Sequence, residues 1–222
     1  MFEIWPSLIS ADLLNLQKTI QELDNHCHGY HLDIMDNHFV PNLTWGAQFM
    51  NAIAQNTKKP LWIHLMIEQP ENFLDTLSVP EGTYITFHVE TKSNIETLIK
   101  EIKNRKWKPS IAINPKTSIA NAFPYLDEID QIVLMSVEPG FSGQSFIPEV
   151  LKKITPLKHE IKKRDVSINI GMDGGINRNN IIEIANLGVG QFGIASGIFS
   201  YPNPVQELEY LYQLYAKEKG TL

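Results

Sequence analysis

The chain has 222 residues, of which 43% are apolar, enough to build one large buried core. Lys plus Arg number 19 and Asp plus Glu 25, a net charge of −6, and no basic run is present to neutralise a phosphate backbone, so nucleic-acid binding is not expected. A single cysteine, Cys27, excludes an intrachain disulfide framework, no apolar run reaches the roughly 18 residues of a membrane span, and Met1-Phe2-Glu3-Ile4 lacks the basic start of a signal peptide; a cytoplasmic protein is expected.

Short apolar runs alternate with amphipathic segments along the chain. Strands are predicted at Ile4–Ile9, Tyr30–Met35, Leu61–Met66, Tyr84–His88, Ser110–Ile113, Gln131–Val137, Ser167–Met172 and Gln191–Ala195. Leu13, Leu16, Ile20, Leu23 and Cys27 recur at spacings of three and four, which predicts one helix over residues 13–27 with Asp12 as its N-cap. Ile95, Leu98, Ile99 and Ile102 predict a helix over 93–106, and Leu208, Leu211, Tyr212 and Tyr215 one over 204–219. Eight strand–helix units at about 28 residues each predict a single-domain α/β protein over residues 1–222, a (β/α)8 TIM barrel. The rival is an open doubly wound sheet, and no G-x-G-x-x-G follows the first strand to support it. No linker, low-complexity tract or composition shift marks a domain boundary.

Four segments carry chemistry at predicted strand C-termini, the face where barrel enzymes place their sites. In Tyr30-His31-Leu32-Asp33-Ile34-Met35-Asp36, strand alternation puts His31, Asp33 and Met35 on one face and Leu32 and Ile34 on the other. The aliphatic pair suits the outer helices, so His31 and Asp33 point into the barrel mouth. By the same parity His64 and Met66 face inward from Trp62-Ile63-His64-Leu65-Met66. Met172-Asp173-Gly174-Gly175 ends the seventh strand with a carboxylate and a flexible turn, and Glu138-Pro139-Gly140-Phe141-Ser142-Gly143-Gln144 is a glycine-punctuated loop after the sixth. Two readings of the inward imidazoles and carboxylates stand at this point. They are hydrogen-bonded structural residues, or they form a mixed nitrogen and oxygen site for a divalent metal that offsets the buried charge. The glycine turns Gly174-Gly175 and Ala195-Ser196-Gly197 occupy the places where barrels of this kind hold phosphate, and tight βα turns would also want glycine there.

Pro6-Ser7-Leu8-Ile9-Ser10-Ala11-Asp12 and His31-Leu32-Asp33-Ile34-Met35-Asp36-Asn37-His38-Phe39-Val40-Pro41-Asn42 resemble signatures of the ribulose-phosphate 3-epimerase family. His64-Leu65-Met66, Asn114-Pro115, Met135-Ser136-Val137-Glu138-Pro139-Gly140-Phe141 and Asp173-Gly174-Gly175 follow in the family's order. The resemblance implies a ribulose-phosphate-binding barrel that interconverts D-ribulose 5-phosphate and D-xylulose 5-phosphate in the pentose phosphate pathway. It implies His31, Asp33, His64 and Asp173 as ligands of one divalent ion (zinc, iron, manganese or cobalt), and Asp33 and Asp173 as the acid/base pair. Ser7, His64, Met35, Met66 and Met135 would line the sugar, and Gly140, Phe141, Ser142, Gly143, Gly174, Gly175 and Ser196 would form the phosphate cradle. It further implies a homo-oligomer, dimer or hexamer.

Moving a proton from one face of a carbon to the other suits two carboxylates on opposing walls. Four positions depart from the family pattern: Asn37 and Ser142 and Ala195 stand where glycine is usual, and Gly171 where an inward acidic residue is common. None removes a ligand or a carboxylate. An allulose-6-phosphate 3-epimerase shares the same constellation. A non-catalytic sugar-phosphate binder would be expected to lack Asp33 or Asp173, and a lyase on a related barrel would place its acid and base differently.

Overall fold

The computed structural model describes residues 2–221. Eight parallel strands form one sheet: β1 (Glu3–Pro6), β2 (Tyr30–Met35), β3 (Leu61–Met66), β4 (Tyr84–His88), β5 (Lys108–Ile113), β6 (Gln131–Met135), β7 (Asn169–Asp173) and β8 (Gln191–Ile194). They lie in the order β1-β8-β7-β6-β5-β4-β3-β2, and a parallel bridge between Ser7 and His31 joins the two ends of that order into a ring. The helices are α1 (Leu16–Leu23), α2 (Ala47–Asn56), α3 (Glu71–Leu74), α4 (Ile95–Asn104), α5 (Ile154–Arg164), α6 (Ile181–Leu187), α7 (Ser196–Phe199) and α8 (Pro204–Glu218). The expected barrel is therefore present.

Several boundaries differ from expectation, each for a local reason. β1 stops at Pro6, which cannot donate to a ladder, and Leu8–Ser10 turns as a short 3-10 helix. The helix expected over 13–27 is two pieces, a 3-10 turn at Leu13–Asn15 and then α1; Asp12 does cap the first, its Oδ1 accepting from the Leu14 N–H at 3.1 Å. Leu13 stays half exposed and leaves the apolar stripe to Leu16, Ile20 and Leu23. After β5 the chain takes a 3-10 path, Ile119–Tyr125, because Pro124 within it withholds an N–H. β6 ends at Met135 rather than Val137 and β8 at Ile194 rather than Ala195, while β7 runs one residue further than expected and carries Asp173 as its last residue.

Outward strand residues such as Leu32, Ile34, Ile63, Leu65, Ile132 and Leu134 are buried with Leu16, Ile20, Leu98, Ile102, Leu208 and Leu211 of the helices in one apolar shell. Inside the ring, Trp5, Trp62, Tyr84, Ala112, Val133 and Met135 form a separate apolar plug. A chain of hydrogen bonds crosses the barrel nearer the strand N-termini. Trp62 Nε1 donates to Thr86 Oγ1 (2.8 Å), Thr86 to Ser110 Oγ (2.7 Å) and Ser110 to Gln131 Oε1 (2.6 Å). Gln131 Nε2 then donates to Gln191 Oε1 (2.8 Å) and Gln191 Nε2 to Glu3 Oε2 (2.7 Å). With its polar groups paired in this way the interior can stay closed at one end and present chemistry only at the other.

Candidate active site

The C-terminal ends of β2, β3 and β7 bring four side chains together. His31 and Asp33 come from β2, His64 from β3 and Asp173 from the end of β7, and one ligand atom of each lies within 4.8 Å of the others. Both imidazoles are fully buried and Asp33 is nearly so. His64 Nδ1 is 3.2 Å from Asp33 Oδ1 and 3.4 Å from Asp173 Oδ2. His31 Nδ1 is 3.4 Å from Asp33 Oδ2, and its Nε2 is 3.9 Å from Asp173 Oδ2. Ser7, at the seam that closes the ring, donates through Oγ to Asp33 Oδ2 at 2.8 Å.

The donor set fits a divalent metal. Among the described residues, both ring nitrogens of His31 and Nδ1 of His64 are buried without a hydrogen-bond partner, beside two carboxylates. Buried polar atoms are rarely left so, and two imidazoles with two carboxylates is a familiar mixed set for a borderline cation. These four residues could hold a metal ion.

Electrostatics within the cluster are strongly coupled. Burial opposes charge on Asp33, but the neighbouring His31 and then His64 outweigh it and hold the carboxyl well below the ordinary range. Burial likewise opposes charge on His64, yet the facing carboxylates of Asp173 and Asp33 lift it from 6.5 to about 9.

A cavity opens in front of the two carboxylates. Ser7, Asp33, Met35, Met66, Met135, Gly140, Phe141, Ser142, Gly143, Asp173, Gly174, Gly175 and Ser196 all line it, so these candidates from four motifs and two glycine turns share one space. His31 and His64 are not in its lining; they sit behind the carboxylates. Met35 and Met66 pack with Val40, Ile9 and Phe39 on one wall, and Met135 belongs to the inner plug. Among the described residues no Lys or Arg lines the cavity. An anionic group there would be held by backbone N–H groups and hydroxyls.

The loops that form the cavity rim are pinned by side chains. Asp36, whose parity opposes that of Asp33, braces the β2 loop: Oδ1 accepts from the N–H groups of His38 and Phe39 and Oδ2 from that of Glu68, each at 2.8 Å. Asn37 between them takes a left-handed backbone with φ 59°, a conformation Asn tolerates, which explains how it stands where glycine is usual. Gln144 Nε2 donates to the carbonyls of Glu138 and Phe141 and shapes the β6 loop, and Asn42 Nδ2 ties Gly140 O to the β2 loop at 2.7 Å. Gly175 has φ +64°, and a Cβ there would lie 2.7 Å from the Phe146 backbone nitrogen, so the turn after β7 requires glycine. Gly171 is accounted for as well: a Cβ there would already sit 3.2 Å from both Trp62 Cη2 and Gln131 Nε2, so the indole and the amide occupy the space an acidic side chain would need.

Five residues escaped the sequence reading. Ser136 Oγ donates to Gly174 O at 2.6 Å and lies 3.0 Å from Asp173 O, pinning the carboxylate's own turn. Gly193 leaves room for the Asp173 carboxylate, whose Oδ1 would be 3.1 Å from a Cβ at that position. Gln144, braced as described, is the third. His88 Nε2 lies 2.9 Å from His64 Nε2, and His88 Nδ1 lies 3.3 Å from Glu90 Oε2. His88 was legible in principle, since it shares strand parity with Tyr84 and Thr86 and so faces inward.

Parallel barrel topology with acid and imidazole groups gathered at the open end defines a class: a parallel α/β barrel with a metal-capable centre at the end where barrel enzymes place their sites. Residues 3–199 match the family model described as the ribulose-phosphate 3 epimerase family, and the chain belongs to that family. It is 35% identical over 202 residues to a ribulose-phosphate 3-epimerase of Escherichia coli, covering 90% of each chain. The corresponding enzyme of Helicobacter pylori is 36% identical over 197 residues, covering 89% of this chain and 90% of the relative. That of Buchnera aphidicola from Acyrthosiphon pisum is 35% identical over 204 residues, covering 91% and 90%. The protein is thus an isomerase-class enzyme, an epimerase. Among solved structures, 3-hexulose-6-phosphate synthase from Salmonella typhimurium superposes with a TM-score of 0.68 at 16% identity, covering 97% of this chain and 99% of that one. Orotidine 5'-monophosphate decarboxylase from Sulfolobus solfataricus gives 0.68 at 11% identity, covering 99% and 100%. At such identities these two share the fold alone.

Proposed function

We propose that this epimerase interconverts D-ribulose 5-phosphate and D-xylulose 5-phosphate, with Asp33 and Asp173 as the two proton-transfer groups. The observation that carries the reading is their convergence on one cavity from strands three steps apart around the ring. One carboxylate takes the proton from the third carbon of the ketose, beside the carbonyl. The other returns a proton to the opposite face of the planar enediolate, and the reverse reaction exchanges their roles. Ser7 orients Asp33 by donating to Oδ2, which leaves Oδ1 toward His64. The three methionines give the planar intermediate apolar, polarisable walls and keep water from it.

His31, Asp33, His64 and Asp173 would hold one divalent ion: zinc, iron, manganese or cobalt all suit this donor set. When bound, such an ion supplies Lewis-acid stabilisation of the negative charge that develops on the substrate oxygens. The phosphate is read onto the backbone N–H groups of Gly140–Gly143, Gly174, Gly175 and Ser196 and the hydroxyls of Ser142 and Ser196, which line the same cavity as the acid pair on β2 and β7. A homo-oligomer and a cytoplasmic location complete the proposal; the single, buried Cys27 is compatible with a reducing compartment.

Incubation with D-ribulose 5-phosphate in heavy water tests the reaction. Deuterium should enter at the third carbon as xylulose 5-phosphate forms. Exchange with D-allulose 6-phosphate and none with the pentulose would transfer the assignment to the hexulose epimerase, and no exchange with either would overturn it.

A further inference from the structure

The cluster at the barrel mouth continues sideways into a second line of buried groups that the proposed reaction does not use. His88, at the end of β4, is buried beside His64, with the two ring planes 18° apart and the two Nε2 atoms 2.9 Å from each other. Nearly coplanar rings at that distance share one hydrogen, so one nitrogen carries it and the other accepts it. Which one is decided at the far side of His88. Its Nδ1 faces Glu90 Oε2 at 3.3 Å, a charge contact rather than an aligned hydrogen bond, and neither atom has a hydrogen-bond partner among the described residues, so the carboxylate is the group that acts on Nδ1. The other carboxylate oxygen of Glu90 is occupied, accepting from the Asn114 N–H at 2.9 Å. Lys153 Nζ donates to Asn114 O at 2.7 Å, which places a cation beside this end of the line. An ionised carboxylate can only accept, so the hydrogen of His88 belongs on Nδ1. His88 Nε2 is then an acceptor, His64 Nε2 must donate to it, and the nitrogen left to His64 is Nδ1, the atom that faces Asp33 and Asp173.

We propose that Glu90 and His88 are positioning residues that fix the tautomer and ring orientation of His64, so that it presents Nδ1 as its ligand atom to the cation. The inference rests on the reading of His64 as a metal ligand. Ligating histidines are commonly held by a hydrogen bond from the other ring nitrogen, and the partner is commonly a carboxylate or a carbonyl. Here a second imidazole stands between the ligand and the carboxylate, because β4 presents His88 alongside β3 while Glu90 lies two residues on, in the loop. Phe39 covers the His88 ring at 4.8 Å between centroids and closes that side.

Two measurements test it. Nitrogen-15 spectra of the folded full-length protein should report His88 as the Nδ1–H tautomer, with or without zinc. An Nε2–H tautomer at His88 overturns the proposal whatever the metal does. The second measurement is zinc affinity by chelator competition, with the absorption spectrum of the cobalt-substituted protein as a signature of ligand geometry. His88→Phe keeps a flat ring but removes the acceptor, and should weaken zinc binding by roughly 10- to 100-fold and alter the cobalt spectrum. His88→Gln retains one acceptor for His64 and one donor for Glu90, and should recover most of the affinity. Wild-type affinity in His88→Phe, or equal weakness in both variants, would refute the positioning role. If the wild type binds no zinc or cobalt, the metal-ligand reading fails first, and the tautomer still judges the hydrogen-bond line by itself.

Discussion

At the scale of single residues the site is a balance between burial and pairing. Asp33 and His64 are each buried deeply enough that neither would be charged alone; His31 and His64 keep Asp33 charged, and Asp173 and Asp33 keep His64 charged. The consequence for the metal-free protein has a definite sign. His64 is raised in the fold from 6.5 to about 9, so its pairing stabilises fully below pH 6.5 and is lost as pH climbs through about 9. Thermal melts of chelator-treated protein should show Tm falling across that window, and His64→Asn should flatten the fall. Metal entering at neutral pH should displace the proton, which calorimetry in buffers of different ionisation enthalpy would register as close to one proton released. Substitution of either carboxylate addresses the reaction itself. Asp33→Asn or Asp173→Asn should lower deuterium exchange by about 10²- to 10⁴-fold with the far-ultraviolet circular dichroism unchanged. A fully active Asp33→Asn enzyme would remove Asp33 from its role.

At the scale of elements, strand register delivers the chemistry and loops shape the space in front of it. Asp33 pairs with His64 in the β2–β3 ladder, so one register contact places an acid beside an imidazole. A one-residue slip of β2 would turn His31 and Asp33 toward the helices. The turn after β7 is the least tolerant loop. Gly175 combines a left-handed φ with a Cβ position 2.7 Å from backbone, so Gly175→Ala must move the Phe146 segment or the turn. Since the turn is read as part of the phosphate cradle, KM should rise about tenfold or more while kcat changes less, which steady-state kinetics would separate. Ser136→Ala should act on the same turn from β6 with a smaller effect, since it removes one hydrogen bond rather than inserting an atom.

At the scale of the whole molecule, charge and site point in opposite directions. The chain carries a net −6, and among the described residues no Lys or Arg lines the cavity, so the proposed anionic substrate gains no attraction from the net charge. Raising ionic strength from about 0.01 to 0.3 M should leave kcat/KM level or raise it, because screening weakens only repulsion. A steep fall on adding salt would reveal a positive field that the cavity lining does not explain. The helical shell carries stability apart from the site: Leu208 and Leu211 of α8 are fully buried, and Leu211→Ala should cost about 2–5 kcal/mol in denaturant unfolding while the site geometry persists.

Periodicity alone determined the eight strands, their inward and outward faces and hence the barrel, because alternation of side chains is a local property of extended backbone. The four metal-capable residues were legible for the same reason, each sharing the inward parity of its strand. Element ends were less legible: Pro6 and Pro124 acted through missing N–H groups, and Leu13 gave way to solvent where its period predicted burial. What only the tertiary structure decided are relations between segments far apart in the chain. Gly171 is explained by Trp62 and Gln131, Gly193 by Asp173, and the orientation of His64 by His88 and Glu90. Steric exclusion and hydrogen-bond direction depend on distances of a few ångströms between such segments, and those distances exist only once the ring has closed.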